Sequence, residues 1–342
     1  MPPPALVFTA RLMPPAVTGG LERFSADVLG FLPRHFEVAD LANRGGKRSQ
    51  WPYLLGLRRR VRRAVAQGRP RIVDGSDCSL AAAIAGHGVP SVLRAHGLDI
   101  LQPSRPYQAY VRRYLPRVDL VVANSRPTRE LLLARGIPDE RIRVVHPAAD
   151  APAGWRPAPR PGRLLLAGRL VRRKGVAPFI RDVWPLVLAR CPGAELDVVG
   201  DGPEMAAVRA AARAAPASDR IRLHGLAPRP VLEDLYRGAD AFVMNNLRSP
   251  GDFEGFGIVA AEAQVRGVPV VARAVDGVVD AVLDGVTGTL VEGEEPAALA
   301  EAVGDVLDGR FRDRAALQRQ AQERWGLARL ERDYVAALRT LL

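Results

Sequence analysis

The sequence predicts an α/β protein made of two doubly wound parallel-sheet domains that face each other across a cleft. Three observations carry this expectation. Short β-rich runs alternate with helical patterns along most of the chain, as βα units on parallel sheets do. The alternation breaks once, at a proline-rich stretch near residue 155, and then starts again. A length of 342 residues suits two domains of roughly 100 to 200 residues each. Ligands of such sheets bind at the carboxyl ends of strands, so a site is expected in loops facing the cleft.

In the first domain, expected at 1–155, strands are read at Ala5 to Ala10, Arg71 to Asp74, Ser91 to Ala95, Leu120 to Ala123 and Arg143 to His146, with helices in the gaps. The segment APAGWRPAPRPGR, residues 151 to 163, places four prolines in eleven positions and reads as an interdomain linker. The second domain, expected at 156–325, repeats the pattern with strands at Arg163 to Ala167, Glu195 to Gly200, Arg220 to Leu223, Ala239 to Met244, Val268 to Ala272 and Thr289 to Val291. From about Pro296 the tail reads as helical, because Ala, Leu and Arg recur without β-branched runs. Its end, 326–342, is expected to be a helix that packs back on the first domain.

Composition excludes several classes. An apolar share of 48% is too high for a mainly disordered chain. No apolar run approaches the roughly 20 residues that span a bilayer, and the start, MPPPALVFTARLMPP, lacks a basic region ahead of its short apolar run. No signal peptide and no membrane span are therefore expected. Cys78 and Cys191 lack metal-ligand spacing and read as free thiols of a reducing cytosol.

Charge is unevenly placed. Residues 1–150 hold 23 basic and 12 acidic residues, a net +11, whereas 151–342 hold 26 and 25, a net +1. Most of the excess lies in Leu41 to Val73, with ten basic residues and no Asp or Glu, so something anionic is expected to approach this half. Within it Leu54, Leu57, Val61 and Val65 recur at helical spacing, with Arg58, Arg59, Arg60, Arg62 and Arg63 between them. That is the pattern of a basic amphipathic helix, which can lie on an anionic membrane or pack its stripe on its own domain; both hold if the arginines face outward.

Three loops could carry chemistry. Thr18-Gly19-Gly20 follows the first strand and opens a helical pattern, so its amides suit either an anion or a simple turn. Gly168 to Gly175 (GRLVRRKG) places fixed cations beyond the carboxyl end of a strand, a place that suits a diphosphate. Lys174 is one of only two lysines in a chain that otherwise uses arginine, which favours a phosphate-directed point charge there, while Arg172 and Arg173 also fit simple surface exposure. The most specific segment is Ser249 to Ala263, in which Glu254 precedes a helix and Glu262 lies within it, with Gly255-Phe256-Gly257 at the turn. Glycine amides at a helix start can face an anion, and the two carboxylates can meet a ribose and a sugar.

These residues resemble the retaining glycosyltransferases of family 4, also called group 1, whose fold is GT-B. The strongest element is the E-x7-E motif at Glu254 and Glu262. The likeness extends to Gly168-Arg169-Leu170 with Lys174-Gly175, Val199-Gly200-Asp201-Gly202-Pro203, Gly267 to Ala272 and Gly288 to Val291, and in the first half to Gly19-Gly20 and to His96 in Arg94-Ala95-His96-Gly97. The resemblance implies that Arg169 and Lys174 bind the donor diphosphate, Glu262 the ribose, and Glu254 with the Phe256 and Gly257 amides the donor sugar. It implies that Gly19 and Gly20 close over the phosphate and that His96 meets the sugar near the reacting centre. Gly200, Gly202, His224 and Gly225 would lie near the nucleotide base, while His35, His87 and His146 have no match and read as structural or surface residues. No metal is expected, since no DxD-like pair stands in a suitable loop, and no cofactor beyond the nucleotide-sugar co-substrate. Retention is inherited from the resemblance.

The leading expectation is therefore a cytoplasmic sugar transferase, peripheral on the inner face of the membrane, acting on a lipid-linked glycan or glycolipid. A soluble acceptor, a GT-B nucleotide-sugar epimerase and a basic nucleic-acid-binding protein are the alternatives. The last fits poorly, because the arginine-rich segment lacks interleaved aromatics for base stacking.

Overall fold

The computed structural model describes residues 5–13, 19–68 and 70–342. Its contacts divide the chain into two compact units, residues 1–148 with 327–342, and residues 149–326. Each holds one six-stranded sheet, parallel throughout, with helices between strands.

The first sheet comprises β1 (Ala5–Thr9), β2 (Glu37–Asp40), β3 (Ile72–Gly75), β4 (Ser91–Ala95), β5 (Leu120–Ala123) and β6 (Ile142–Val144), in the order β2-β1-β3-β4-β5-β6. Its central strands are buried on both faces, which is why β5 reads as an unbroken apolar run and β3 and β4 read as apolar runs broken only by Asp74, Ser91 and Arg94. The strand β2 is different. Its sequence EVAD is mostly exposed at the sheet edge and carries two carboxylates, so it shows no strand signal, and the sequence reading passes over it. The Val-rich run near residue 143 pairs only over Ile142–Val144.

Two helices pack on this sheet in a way that matters for the site. In Gly20–Phe31, Phe24, Val28 and Phe31 fall on one face and are buried. In Leu327–Arg339, Leu330, Tyr334 and Leu338 do the same, and both sets join one core cluster with Leu6, Phe8 and Val122. Beneath that cluster lies a polar knot: Asp74, Arg94 and Tyr334 are each fully buried. Tyr334 Oη donates to Asp74 Oδ2 at 2.5 Å, and the Arg94 guanidinium lies 3.0 Å from Asp74 Oδ1 with its face toward Phe8. Burial raises the Asp74 carboxyl, an effect that Arg94 and the Tyr334 hydroxyl oppose.

The second sheet comprises β7 (Arg163–Ala167), β8 (Glu195–Val199), β9 (Ile221–Gly225), β10 (Ala241–Met244), β11 (Val270–Arg273) and β12 (Gly288–Val291), in the order β12-β11-β10-β7-β8-β9. The proline-rich segment belongs to this unit: Trp155 is buried, donates its Nε1–H to Arg266 O at 2.9 Å and is faced by the Arg237 guanidinium. The tail forms helices at Pro296–Leu307, Arg314–Trp325 and Leu327–Arg339. Among the described residues no helix is long and apolar enough to cross a membrane.

Candidate functional site

In the second sheet the strand order reverses between β7 and β10, and the crevice beyond their carboxyl ends is where ligands of doubly wound sheets bind. The loop after β7 supplies Gly168, Arg169 and Lys174, and the loop after β10 supplies Asn245, Asn246 and Glu254. Close packing fixes the first loop. Gly168 N–H donates to Val199 O and Leu170 N–H to Asp201 O, while a Cβ at Gly200 would stand 1.8 Å from Gly168 O and one at Gly202 would stand 2.3 Å from Leu170 O. Only glycine permits this approach. Gly200 and Gly202 therefore set the path of the loop that carries Arg169.

The next turn is clasped to the loop after β10. Gly175 sits at φ 59, and a Cβ there would stand 2.1 Å from Asn245 O. Asn245 Nδ2 donates to Gly175 O at 2.8 Å, Leu247 N–H donates to Arg173 O at 2.7 Å, and buried Arg273 donates to Asn245 Oδ1 at 2.6 Å. This clasp delivers Lys174 to Glu254: Nζ lies 2.5 Å from Oε2, to which Asn246 Nδ2 also donates at 3.0 Å. Arg173 Nε lies 3.4 Å from the same oxygen, so Arg173 is a site residue rather than a surface one. Glu254 N–H donates to Asp276 Oδ2 at 3.1 Å, and Gly277 N–H returns to Glu254 O. Burial alone would raise the Glu254 carboxyl, but Lys174, Arg173 and Asn246 outweigh it and hold the group below the usual carboxylate range.

Arg169 is exposed; its carbonyl accepts from Val171 N–H, while its guanidinium makes no hydrogen bond or ion pair among the described residues. With Lys174 and Asn246 it lines a cavity of about 20 Å³, room for a single water. Gly257, at φ 86, caps the helix Ile258–Gln264, which carries half-buried Glu262; Phe256 is buried in the core behind it. His224 Nε2 lies 2.7 Å from Asp197 Oδ1, a carboxylate also held by Arg163, and Gly225 O accepts the Gly200 N–H at the end of β9. Sequence reasoning missed Arg273, the last residue of buried strand β11, and Asp276, three residues beyond it; their only linear signal is that place.

In the first unit, His96 follows β4. Its Nε2 lies 2.9 Å from Ser76 O, and a carbonyl only accepts, so Nε2 carries a proton and the neutral ring leaves Nδ1 as its acceptor. The His96 backbone N–H donates to Asp99 Oδ1, whose partner oxygen accepts from Cys78 N–H, and Phe24 meets the ring edge-on at 5.7 Å. Burial lowers the imidazole below its ordinary range, against the pull of Asp99. Gly19 N–H is taken by Glu22 Oε2 at 3.0 Å, and Gly20 opens its helix; Thr18, the start of that motif, lies outside the described residues. In the helix Gln50–Gly68 the stripe of Tyr53, Leu57 and Val61 is buried, with Leu54 and Val65 packed beside it. Arg59, Arg60, Arg62 and Arg63 are exposed; Arg58, also exposed, reaches back to the Ala82 carbonyl.

Comparison with known proteins places the family and the fold. Residues 161–309 match the family model described as Glycosyl transferases group 1, and residues 19–151 match that of Glycosyltransferase Family 4. The chain belongs to the group 1, family 4 glycosyltransferases. It is 33% identical over 276 residues to D-inositol 3-phosphate glycosyltransferase 1 of Catenulispora acidiphila, covering 70% of this chain and 65% of that one. It is 36% identical over 233 residues to D-inositol 3-phosphate glycosyltransferase of Xylanimonas cellulosilytica, covering 61% and 54%. The chain thus spans about half to two thirds of the length of these relatives. Its fold is that of Anabaena HepE solved with UDP (TM-score 0.73, 19% identity, 98% of this chain and 100% of that one). Sucrose-phosphate synthase of Thermosynechococcus elongatus shares it too (TM-score 0.76, 17% identity, 99% of each). Both sheets are Rossmann-like and the fold is GT-B.

Proposed function

We propose that this protein transfers a sugar from a nucleoside-diphosphate sugar to an acceptor hydroxyl, with the donor held by residues 149–326 and the acceptor by the first unit. The observation that carries the reading is the placement of Arg169 and Lys174 with Glu254 at the switch point of the second sheet. Exposed Arg169 and the Lys174 ammonium would neutralise the leaving diphosphate, where charge develops in the transition state. Glu254, kept ionised by its cations, would accept hydrogen bonds from sugar hydroxyls, with the Phe256 and Gly257 amides beside it. Glu262 would take the ribose. Gly200, Gly202, His224 and Gly225 would border the base, while Gly20, the amide of that pair not taken by Glu22, would add its N–H toward the phosphate. In the transfer, the bond from the anomeric carbon to the β-phosphate oxygen breaks and one to the acceptor oxygen forms. The acceptor proton passes to the departing phosphate, which gives retention without a metal or a protein base. His96 would meet the sugar through Nδ1.

The acceptor we favour is a lipid-linked glycan or glycolipid at the cytoplasmic face of an anionic membrane. The +11 of residues 1–150 and the outward arginines at 59, 60, 62 and 63 support this. A soluble phosphorylated acceptor is the second reading, favoured by the names of the two relatives.

A thermal-shift panel of UDP, GDP, ADP, dTDP and their sugar conjugates tests the donor site, since a ligand that binds only the folded state raises the melting temperature. One nucleotide family should shift the wild type and not Arg169→Ala, whose exposed side chain leaves the fold intact. A shift of equal size in both proteins, or none with any nucleotide, would reject the assignment.

A further inference from the structure

The first unit contains an aromatic groove that the reading above does not use. It has a volume of about 400 Å³ and runs between the helices Gln50–Gly68 and Arg105–Tyr114, within the roughly 300 to 1,000 Å³ of small-molecule sites. Tyr107 and Tyr110 form one wall, stacked at 5.9 Å. Their hydroxyls are tied down: Tyr107 donates to Asp99 O at 2.8 Å, and Tyr110 donates to Ser79 O at 2.7 Å and accepts from Ala82 N–H at 3.0 Å. The rings are thus fixed with apolar surface toward the groove.

The facing rim is Trp51 and Leu55, one helical turn apart and 73% and 85% exposed. Neither belongs to the buried stripe of its helix, and of the four tryptophans in the chain the other three are buried. Two large apolar side chains side by side in water, among arginines, mark a contact surface. Arg11 and Arg58 are the charged residues of the lining; Arg58 reaches the Ala82 carbonyl, and Arg11 Nε lies 3.6 Å from Asp77 Oδ2 behind the groove wall. Arg11 follows β1, and its N–H donates to Ser76 Oγ beside the β1/β3 reversal of strand order. That end of the groove abuts the loop that holds His96: Ser76 accepts from Arg11 N–H through Oγ and meets His96 Nε2 through its carbonyl, and Asp99 accepts from both Tyr107 Oη and the His96 backbone N–H.

We propose that this groove holds the apolar chain of the acceptor: an amphiphile whose single hydrocarbon tail lies between Tyr107, Tyr110, Trp51 and Leu55 and whose anionic group meets Arg11. The proposal rests on the first unit being the acceptor-binding one. Apolar walls select the tail, the positive end selects the anion, and the direction sets the head at the carboxyl edge of the sheet.

The probes are decyl phosphate below its micelle concentration, inorganic phosphate, and vesicles containing phosphatidylglycerol, applied to the full chain and to Trp51→Ala/Leu55→Gln. UDP binding is the control. Decyl phosphate should bind the wild type and shift Trp51 emission to the blue. Inorganic phosphate should bind at least tenfold more weakly, and the double variant should lose at least tenfold in affinity for decyl phosphate while melting as the wild type does. Equal binding of decyl phosphate by both proteins would overturn the proposal. So would a variant that loses only vesicle binding, since the exposed pair would then belong to a bilayer contact. Decyl phosphate binding without any nucleotide binding would keep the groove and reject the donor reading instead.

Discussion

Replacing Lys174 with methionine keeps the length and apolar stem of the side chain and removes its charge. The ammonium lies 2.5 Å from Glu254 Oε2, and the two side chains are 14% and 11% exposed. Breaking a fully buried ion pair from one side costs about 3 to 5 kcal/mol, because the remaining charge is left without its partner. Here Arg173 stays within 3.4 Å and Asn246 still donates, so we expect about half, roughly 2 kcal/mol. For a unit of this size that is about 6 °C in Tm, at roughly 3 °C per kcal/mol.

The assay is a double-mutant cycle with Glu254→Gln, read by thermal and urea unfolding. The amide can still accept from Asn246 and no longer needs a cation, so the double variant should be more stable than Lys174→Met alone, with a coupling energy of about 1 to 2 kcal/mol. Acid gives a second check. The folded state holds Glu254 below its ordinary range, so the stability it contributes is present above about pH 4.5 and is lost as pH falls through the depressed value. The deficit of Lys174→Met should shrink over the same interval. A melt within 1 °C of wild type at pH 7, or strict additivity of the two substitutions, would refute the view that Lys174 holds a buried carboxylate in its charged form.

Two further outcomes follow from the first unit. Tyr334→Phe removes the hydroxyl that donates to Asp74 Oδ2 in a fully buried knot, and should cost about 1 to 3 kcal/mol in urea unfolding, with no change in nucleotide binding; a loss below 0.5 kcal/mol, on the order of ordinary surface substitutions, would show the bond to be incidental. His96 is held below its ordinary range, so the unfolded chain takes up a proton first as pH falls below about 6.5. Wild-type stability relative to His96→Gln should therefore decline from pH 7.5 to 5.5, and a flat difference would contradict the buried neutral ring.

Much of this was legible in the linear sequence. Eleven of the twelve strands stand out, most of them because their central residues are buried on both faces, as in Leu120-Val121-Val122-Ala123. The pair Glu254 and Glu262, and a lysine among arginines at 174, pointed to the loops that the second sheet brings together. The misses have physical causes. β2 is an edge strand whose side chains face water, so nothing in EVAD demands a sheet. The Gly19 amide looked open to an anion, yet Glu22, three residues on, takes it in a capping interaction whose spacing was visible all along. Arg273 and Asp276 matter only because β10 and β11 are neighbours, a fact of strand order that no local pattern encodes. The Asp74 to Tyr334 bond joins residues 260 positions apart.

That separation bears on how the chain is made. Residues 149–326 form a continuous segment, so the second unit can close its core once Trp325 has been synthesised. The first unit is made earlier but cannot finish: its core needs Leu330, Tyr334 and Leu338, which emerge only after the whole of the other unit. During translation the β1 to β6 sheet must wait with one face only partly covered and with Asp74 and Arg94 lacking their third partner. Vectorial synthesis thus inverts the order of the units, with the one made second folding to completion first. Premature termination near residue 326 would release a finished second unit tied to an unfinished first one, a ready client for chaperones.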